Sequence, residues 1–163
     1  MKLFFTIVRS VIYVPLFILF FGWLALNVRV YDEQFGFILP QWTSIIGIIM
    51  MVVGAILVLL CVVVFVIIGK GTPAAFDPPT KFVAVGPYAF VRNPMYIGGF
   101  ILLVGFGLYH TSVSILIFAV LLLVVFHFFV LMVEEPGLER LFGKSYLDYK
   151  NKINRWLPKL KHY

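Results

Sequence analysis

The sequence predicts an all-α membrane protein with about four transmembrane helices, of which the third and fourth form a helical hairpin, and a C-terminal amphipathic helical tail. Its composition indicates this class, because 63% of the 163 residues are hydrophobic and 12% are charged, whereas a soluble domain is about half apolar and a quarter charged. Long apolar runs follow one another along the chain, and basic residues cluster outside them. A water-soluble fold of this size cannot bury so much apolar surface, so we expect residues 1–163 to form one membrane domain.

The first apolar run, residues 11–26, is predicted to be a transmembrane helix, which needs about 20 predominantly apolar residues. Pro15 lies near its start, and membrane helices tolerate proline. Lys2 and Arg9 precede the run, as basic residues do in a secretory signal sequence. The run is nevertheless long, is rich in aromatic residues and lacks a small-residue cleavage site, so we predict a retained anchor.

The second run, residues 45–68, contains no charged residue and is the clearest transmembrane segment. Gly47 and Gly54 within it are consistent with close approach of another helix, and equally with glycine that is merely tolerated in lipid. The third and fourth runs, residues 95–109 and 113–133, are separated only by a short polar turn. Such a short connection predicts two antiparallel neighbouring helices.

The distribution of lysine and arginine predicts the orientation in the membrane. The basic residues lie before the first run, in the loop 69–94 and after the fourth run, except for Arg29 in the loop 27–44. Because basic segments stay on the cytoplasmic side, we expect an integral multi-pass protein with both termini and the loop 69–94 in the cytoplasm, in the inner membrane of a bacterium. Nucleic acid is not an expected partner, since these charges flank apolar spans and are not interleaved with exposed aromatic residues.

The tail, residues 136–163, is predicted to be an amphipathic, basic helix that breaks near Gly143. This pattern favours a position on the membrane surface or over the helix bundle. Its apolar positions recur at three- and four-residue steps, namely Leu138, Leu141, Phe142, Tyr146, Tyr149, Ile153 and Trp156.

A polar cluster precedes the third helix. Arg92 carries a rigid fork of donors that binds carboxylates bidentately, and Asn93 adds a donor and an acceptor. Tyrosine rings attract cations, and the helix N-terminus after Pro94 favours anions. The set suits a zwitterion with a carboxylate and a sulfonium, although it also fits an ordinary turn with a topology-setting arginine and interfacial tyrosines. The cluster lies within residues 86–99 and contains Tyr88, Arg92, Asn93, Pro94, Tyr96 and Gly98.

A second cluster consists of His127, Glu134 and Glu135. Seven residues are nearly two helical turns, so His127 and Glu134 are expected to share a face. The glutamates suit hydrogen bonds from an amine or from ribose hydroxyls, and they also fit a solvated acidic pair at a helix end. His127 is either a functional group inside the span or a neutral side chain bonded to a neighbouring helix.

Metal and nucleophile chemistry find little support in the sequence. No histidine–cysteine spacing of a metal site occurs, so no metal is expected. No serine or cysteine nucleophile motif occurs either. The single cysteine, Cys61, lies in an apolar run and fits a small buried hydrophobic residue.

Five sequence blocks stand in order in the second half of the chain. They are Gly86-Pro87-Tyr88, Arg92-Asn93-Pro94-x-Tyr96-x-Gly98, Glu134-Glu135-Pro136-x-Leu138, Phe142-Gly143-x-x-Tyr146-x-x-Tyr149 and Arg155-Trp156-x-Pro158. Together, over residues 77–159, they resemble the isoprenylcysteine carboxyl methyltransferase family and the related phospholipid methyltransferases.

The resemblance implies an S-adenosylmethionine-dependent methyltransferase that acts on a lipid-like or prenylated acceptor at the boundary between membrane and cytosol. The cofactor would be held on the cytoplasmic side, and the acceptor would enter sideways from the lipid bilayer. A carboxylate oxygen, an amine nitrogen and a thiol sulfur all stay open as the methyl acceptor. The resemblance implies catalytic roles for Arg92 and Glu134, and cofactor binding by Tyr88, Arg92, Asn93, Pro94, Tyr96, Gly98, His127, Glu134, Glu135 and Arg155.

Two other functions stay open from the sequence. One is an NADPH-dependent membrane reductase of related architecture, for which this chain is short, and the other is a non-catalytic membrane protein. Within the leading hypothesis we predict that the tail closes the cofactor site and does not serve only as an anchor. Gly143 would let the chain turn back, and Arg155 would then reach an acidic group or the carboxylate of the cofactor.

Overall fold

The computed structural model describes residues 2–71 and 80–158 and contains no β-strand within these ranges. Three of its helical units are long and apolar enough to cross a membrane, namely Phe4–Phe35, Thr43–Gly69 and Val113–Phe142, and a fourth apolar helix, Pro94–Tyr109, is shorter. The predicted class, an all-α membrane protein with about four apolar helices, is therefore confirmed. Residues 72–79 of the loop 69–94 and residues 159–163 of the tail lie outside the described residues, as do both ends of the stretch 77–159.

Seven α-helices follow one another in the described parts of the chain. They are α1 (Lys2–Val28), α2 (Asp32–Phe35), α3 (Thr43–Val64), α4 (Pro94–Tyr109), α5 (Val113–Phe129), α6 (Glu135–Phe142) and α7 (Lys144–Lys152).

The helices extend beyond the apolar runs from which they were predicted. α1 already begins at Lys2, and after a 3-10 turn at Arg29–Tyr31 it is followed by α2, so part of the expected loop 27–44 is helical. The run of apolar residues marks the part of a helix that lies in hydrocarbon, whereas long polar side chains let the same helix continue into the interface. α3 and α5 likewise continue into π-helical turns, Phe65–Gly69 and Val130–Glu134.

Glycines bring α3 and α4 into close contact. A Cβ atom on Gly54 would lie 2.6 Å from the carbonyl oxygen of Gly98 and 2.7 Å from the amide nitrogen of Leu102. A Cβ atom on Gly47 would lie 2.5 Å from the amide nitrogen of Tyr109. Of the two interpretations of these glycines, the structure therefore supports close helix approach.

The predicted hairpin of α4 and α5 is present. The amide of Ser112 donates to the carbonyl oxygen of Gly107 at 2.9 Å, and the Ser112 hydroxyl accepts from the amide of Ile115 at 3.2 Å, which caps α5. Asp32 accepts a hydrogen bond from the amide of Ser114 at 2.8 Å and so ties α2 to the start of α5.

α1 packs against this hairpin near its own C-terminal end. Ala25 is buried there with Leu103, Ile115 and Ala119. This contact lies at the hairpin-turn end of the bundle; we call the opposite end, where α4 begins and α6 and α7 lie, the tail end.

The tail breaks at Gly143, as predicted, because this residue adopts a φ of +51° that favours glycine. Helix α7 then ends at Lys152, and residues 153–158 are not helical. The predicted tail helix was therefore too long, because it included residues 153–158. The reason is tertiary: the carbonyl oxygens of Asn154 and Arg155 accept hydrogen bonds from the amides of Arg92 and Asn93, at 2.9 and 3.3 Å, instead of continuing the helix.

Candidate functional site

The loop before α4 is shaped by a short 3-10 turn, Gly86–Ala89, which Gly86 enters with a φ of +61°. Tyr88 in this turn is buried, and its carbonyl oxygen accepts a 2.6 Å hydrogen bond from the hydroxyl of Tyr149 in α7. Burial raises the pKa of both phenols above their ordinary value, so the Tyr149 hydroxyl keeps the proton that this bond requires. The turn and α7 are thereby held together.

Glu135 is the centre of a buried cluster of charges. Its side chain is 5% exposed and lies 3.1 Å from the guanidinium of Arg92, whose own side chain is 8% exposed. Arg155 donates to both carboxylate oxygens, at 2.8 and 2.9 Å. Lys150 lies 3.6 Å from the same carboxylate and also pairs with Glu139. A buried carboxylate needs such partners, because an unpaired charge there is costly.

Glu134, the neighbouring acidic residue, has a different environment. Its Oε1 accepts a 2.6 Å hydrogen bond from the hydroxyl of Tyr96 in α4. His127 does not share this contact: its Nδ1 accepts a 3.0 Å hydrogen bond from the indole of Trp156. Glu134 is the last residue of the π-helical turn Val130–Glu134, which follows the α-helix that contains His127, and such a turn adds a residue to the helical repeat. His127 and Glu134 therefore contact different partners and do not share one contact. The two partners are neighbours, with the rings of Tyr96 and Trp156 6.4 Å apart.

A cavity of about 1160 Å³ runs from the tail end into the bundle between α1, α4 and α5. Its inner part is apolar. At the tail end its walls carry polar and aromatic side chains, namely Phe82, Tyr88, Arg92, Asn93, Tyr96, Glu134, Phe142, Tyr146 and Tyr149.

Buried donors without partners lie in the wall at the tail end. Nε and Nη1 of Arg92 and Nδ2 of Asn93 are inaccessible to solvent and have no hydrogen-bond acceptor within the described parts of the chain. Unsatisfied buried donors are costly and call for an explanation. Since both residues line the cavity, these atoms are suited to an anionic or acceptor-rich group of a ligand.

The structure divides the residues predicted for the site into two groups. The cavity wall contains Tyr88, Arg92, Asn93, Tyr96 and Glu134. The remaining five are not part of this wall: Pro94, Gly98, His127, Glu135 and Arg155.

The residues of the second group have structural contacts instead, and that of His127 is the hydrogen bond from Trp156 given above. Pro94 is the first residue of α4. Gly98 faces α3, where a Cβ atom would lie 3.0 Å from a methyl of Val58, so its lack of a side chain serves helix packing. Glu135 and Arg155 hold the tail against Arg92, and Arg155 reaches an acidic group as the sequence suggested.

The wall residues that were absent from the predicted site include a cluster of four aromatic side chains at the tail end. Phe82 packs against Phe142, Tyr146 and Tyr149, with ring centroids 5.4, 6.1 and 5.2 Å apart. The last three belong to sequence blocks noted above, and that pattern was the signal available for them. Phe82 offered no signal, because its position depends on how the loop before α4 folds onto α6 and α7.

Comparison with protein families identifies one to which the chain is similar. A family model described as phospholipid methyltransferase matches residues 42–145, which is more than half of the chain. No curated protein matches the chain.

Proposed function

The chain belongs to the phospholipid methyltransferase family and is a membrane methyltransferase, and we propose that it transfers the methyl group of S-adenosylmethionine to the amine nitrogen of a membrane lipid. The observation that carries this proposal is the set of buried, unpartnered donors on Arg92 and Asn93 in the cavity wall. A carboxylate is the group that best satisfies such donors, and the methionine part of S-adenosylmethionine carries one.

The rest of the tail-end wall fits the other parts of the cofactor. The rings of Phe82, Phe142 and Tyr146 form an aromatic surface that suits a nucleobase. Tyr96 offers a ring face for a sulfonium. When bound, S-adenosylmethionine supplies an activated methyl group to a nucleophile.

The charges at the tail end favour an amine over a carboxylate as the acceptor. Arg92 is already paired with Glu135 and would hold the carboxylate of the cofactor. Glu134 then remains as the charged group beside the acceptor, and it attracts an ammonium and repels a carboxylate. Its Oε1 is held by Tyr96, which leaves Oε2 to accept the proton that the ammonium must lose before its lone pair can react.

The tail excludes water from this reaction. Residues 153–158 lie against the loop before α4, and Trp156 is fixed by its bond to His127. Enclosure of this kind strengthens the hydrogen bonds to the ligand and prevents hydrolysis. In this assignment His127, Glu135 and Arg155 are positioning residues, and the contacts to the cofactor and acceptor come from residues of the cavity wall.

Binding and transfer by purified protein test the proposal. In nanodiscs of dioleoyl phosphatidylethanolamine with methyl-labelled S-adenosylmethionine, we expect label in the lipid, and none when phosphatidylcholine is the only lipid. Titration with S-adenosylmethionine should show saturable binding. Binding of NADPH instead would favour a reductase, and binding of neither would favour a non-catalytic protein. Label on an added prenylcysteine, but not on the amine lipid, would contradict the choice of acceptor.

Two variants, each with a matched control, distinguish the role of Arg92 in cofactor binding from the role of Glu134 in methyl transfer. Arg92→Ala should weaken S-adenosylmethionine binding by about ten- to a hundred-fold, the value of one charged hydrogen bond. Arg140→Ala is its control, because Arg140 is exposed and lies outside the cavity wall. Glu134→Gln should abolish transfer while the cofactor still binds, and Glu33→Gln at an exposed site is its control.

A further inference from the structure

The cavity is larger than the proposed cofactor alone requires. The whole cavity measures about 1160 Å³, above the range of roughly 300–1,000 Å³ that is usual for one small-molecule ligand. Apolar residues of α1 line it together with apolar residues of α4 and α5, among them Phe21, Leu103 and Phe126. We call the part of the cavity between α1 and the α4–α5 hairpin the inner chamber. Its walls suit a hydrocarbon chain.

Aromatic rings connect the inner chamber with the tail end. Tyr96, whose hydroxyl binds Glu134, packs against Phe126 with ring centroids 5.1 Å apart. Phe126 in turn packs against Phe21 of α1 at 5.7 Å. Glu134 and these apolar residues line the same cavity, so it combines an acidic group with an apolar space, which is the polarity of a lipid with an amine headgroup.

Gly22 and Gly99 line the cavity where the inner chamber meets the tail end, and we call this region the passage. Gly22 follows Phe21 on α1, Gly99 lies about one helical turn after Tyr96 on α4, and both line the cavity. A Cβ atom at either position would have no heavy atom within 4 Å. They differ in this from Gly98, whose Cβ atom would meet Val58 at 3.0 Å. Glycine is unfavourable within a helix, and at these two positions packing does not require it.

We infer that Gly22 and Gly99 determine how bulky a hydrocarbon chain the acceptor lipid can place next to the methyl-transfer site. The inference rests on the proposed function and specifies the part of the site that receives the acyl chain of the acceptor. The amine headgroup lies at Glu134, and the chain passes between α1 and α4 at the two glycines. A larger side chain at either glycine narrows this passage without disturbing the helix contacts.

Leucine substitutions test the inference. Gly22→Leu and Gly99→Leu are compared with Gly137→Leu, a matched control in α6 where a Cβ atom also meets nothing within 4 Å and which lies outside the cavity wall. The acceptors are dioleoyl and dihexanoyl phosphatidylethanolamine. We expect kcat/KM for the dioleoyl lipid to fall by about ten-fold or more in the two cavity variants, the usual scale of overpacking, and to change little for the dihexanoyl lipid. Affinity for S-adenosylmethionine should stay constant.

A second readout does not depend on transfer. Phosphatidylethanolamine with a photoreactive group at the end of one acyl chain should cross-link to Leu16–Trp23 or to α4 in the wild-type protein, and less in Gly22→Leu and Gly99→Leu. Should the leucine variants unfold, Gly22→Ala and Gly99→Ala provide the same comparison with a smaller effect. Equal kinetic effects on both lipids, or unchanged cross-linking, would overturn the inference. If the wild-type protein cross-links but transfers no methyl group, the proposed function is wrong, whereas binding of the acyl chain in the inner chamber is supported.

Discussion

Arg155 donates two hydrogen bonds to Glu135, from Nε to Oε1 at 2.8 Å and from Nη2 to Oε2 at 2.9 Å. This bidentate arrangement is the strong, geometrically specific form of an arginine–carboxylate pair. It joins the end of the described tail to the start of α6, and Arg92 approaches the same carboxylate from the loop before α4. One carboxylate therefore connects the tail with a residue of the cavity wall, an arrangement that a simple membrane anchor does not require.

Glu135→Gln is expected to loosen the tail. The change leaves two arginines without their carboxylate, and breaking a buried pair costs about 3–5 kcal/mol. Residues after Lys152 should become sensitive to limited proteolysis, and S-adenosylmethionine affinity should fall because Arg92 loses its orientation.

Two further variants serve as comparisons for the proteolysis and the affinity of Glu135→Gln. Arg155→Ala should be milder, since the Arg155 side chain is 22% exposed and Arg92 keeps its partner. Glu139→Gln removes a carboxylate that is 35% exposed, so proteolysis and affinity should stay near those of the wild type. Wild-type behaviour of Glu135→Gln would mean that the tail is held in another way.

Tyr96→Phe is expected to lower the rate of methyl transfer. The substitution removes the 2.6 Å hydrogen bond that orients Glu134 and keeps the aromatic contact with Phe126. A hydrogen bond to a charged group contributes about 1.5–3 kcal/mol, so kcat should fall by about ten-fold or more. Steady-state kinetics with separate values of kcat and KM provide the measurement. A change confined to the KM for S-adenosylmethionine would assign Tyr96 to the cofactor instead.

Gly54→Ala is expected to destabilise the fold. Its Cβ atom would lie 2.6 Å from the Gly98 carbonyl oxygen and 2.7 Å from the Leu102 amide, both of them backbone atoms, so α3 and α4 must separate. Overpacking of this kind costs about 1–3 kcal/mol.

Thermal unfolding in detergent compares Gly54→Ala with Gly22→Ala. At Gly22 a Cβ atom has no neighbour within 4 Å, and alanine in a helix is more favourable than glycine by about 1 kcal/mol. The first variant should melt below the wild type and the second at or above it. An unchanged melting temperature for Gly54→Ala would contradict the close contact between α3 and α4.

The orientation in the membrane is tested by thiol labelling. In a Cys61→Ala background, single cysteines at the exposed positions Phe37 and Ser145 lie at the hairpin-turn end and the tail end. The basic-residue distribution predicts that Ser145→Cys is cytoplasmic, so an impermeant reagent should label it only in inside-out vesicles and Phe37→Cys only in right-side-out vesicles. Labelling of both positions from one side would contradict the predicted topology.

The sequence by itself determined the secondary-structure elements of this protein. Apolar runs, the short turn between the third and fourth of them, and a glycine in the tail are local signals, and the helices, the hairpin and the break at Gly143 follow from them. The order of the sequence blocks likewise indicated the family. The helix ends were less accurate, because a helix continues into the interface beyond its apolar run, as α1 does from Lys2.

Only the tertiary structure decided which residues face the cavity. Neighbours in sequence were separated: Gly98 packs against α3 while Gly99 borders open space, and Glu135 joins the arginines while Glu134 binds Tyr96. Phe82 also lines the cavity, and no sequence pattern indicated this. The physical reason is that a motif specifies residue types, whereas the partner of a buried charge or ring depends on how helices rotate and pack. That packing is a property of the whole chain.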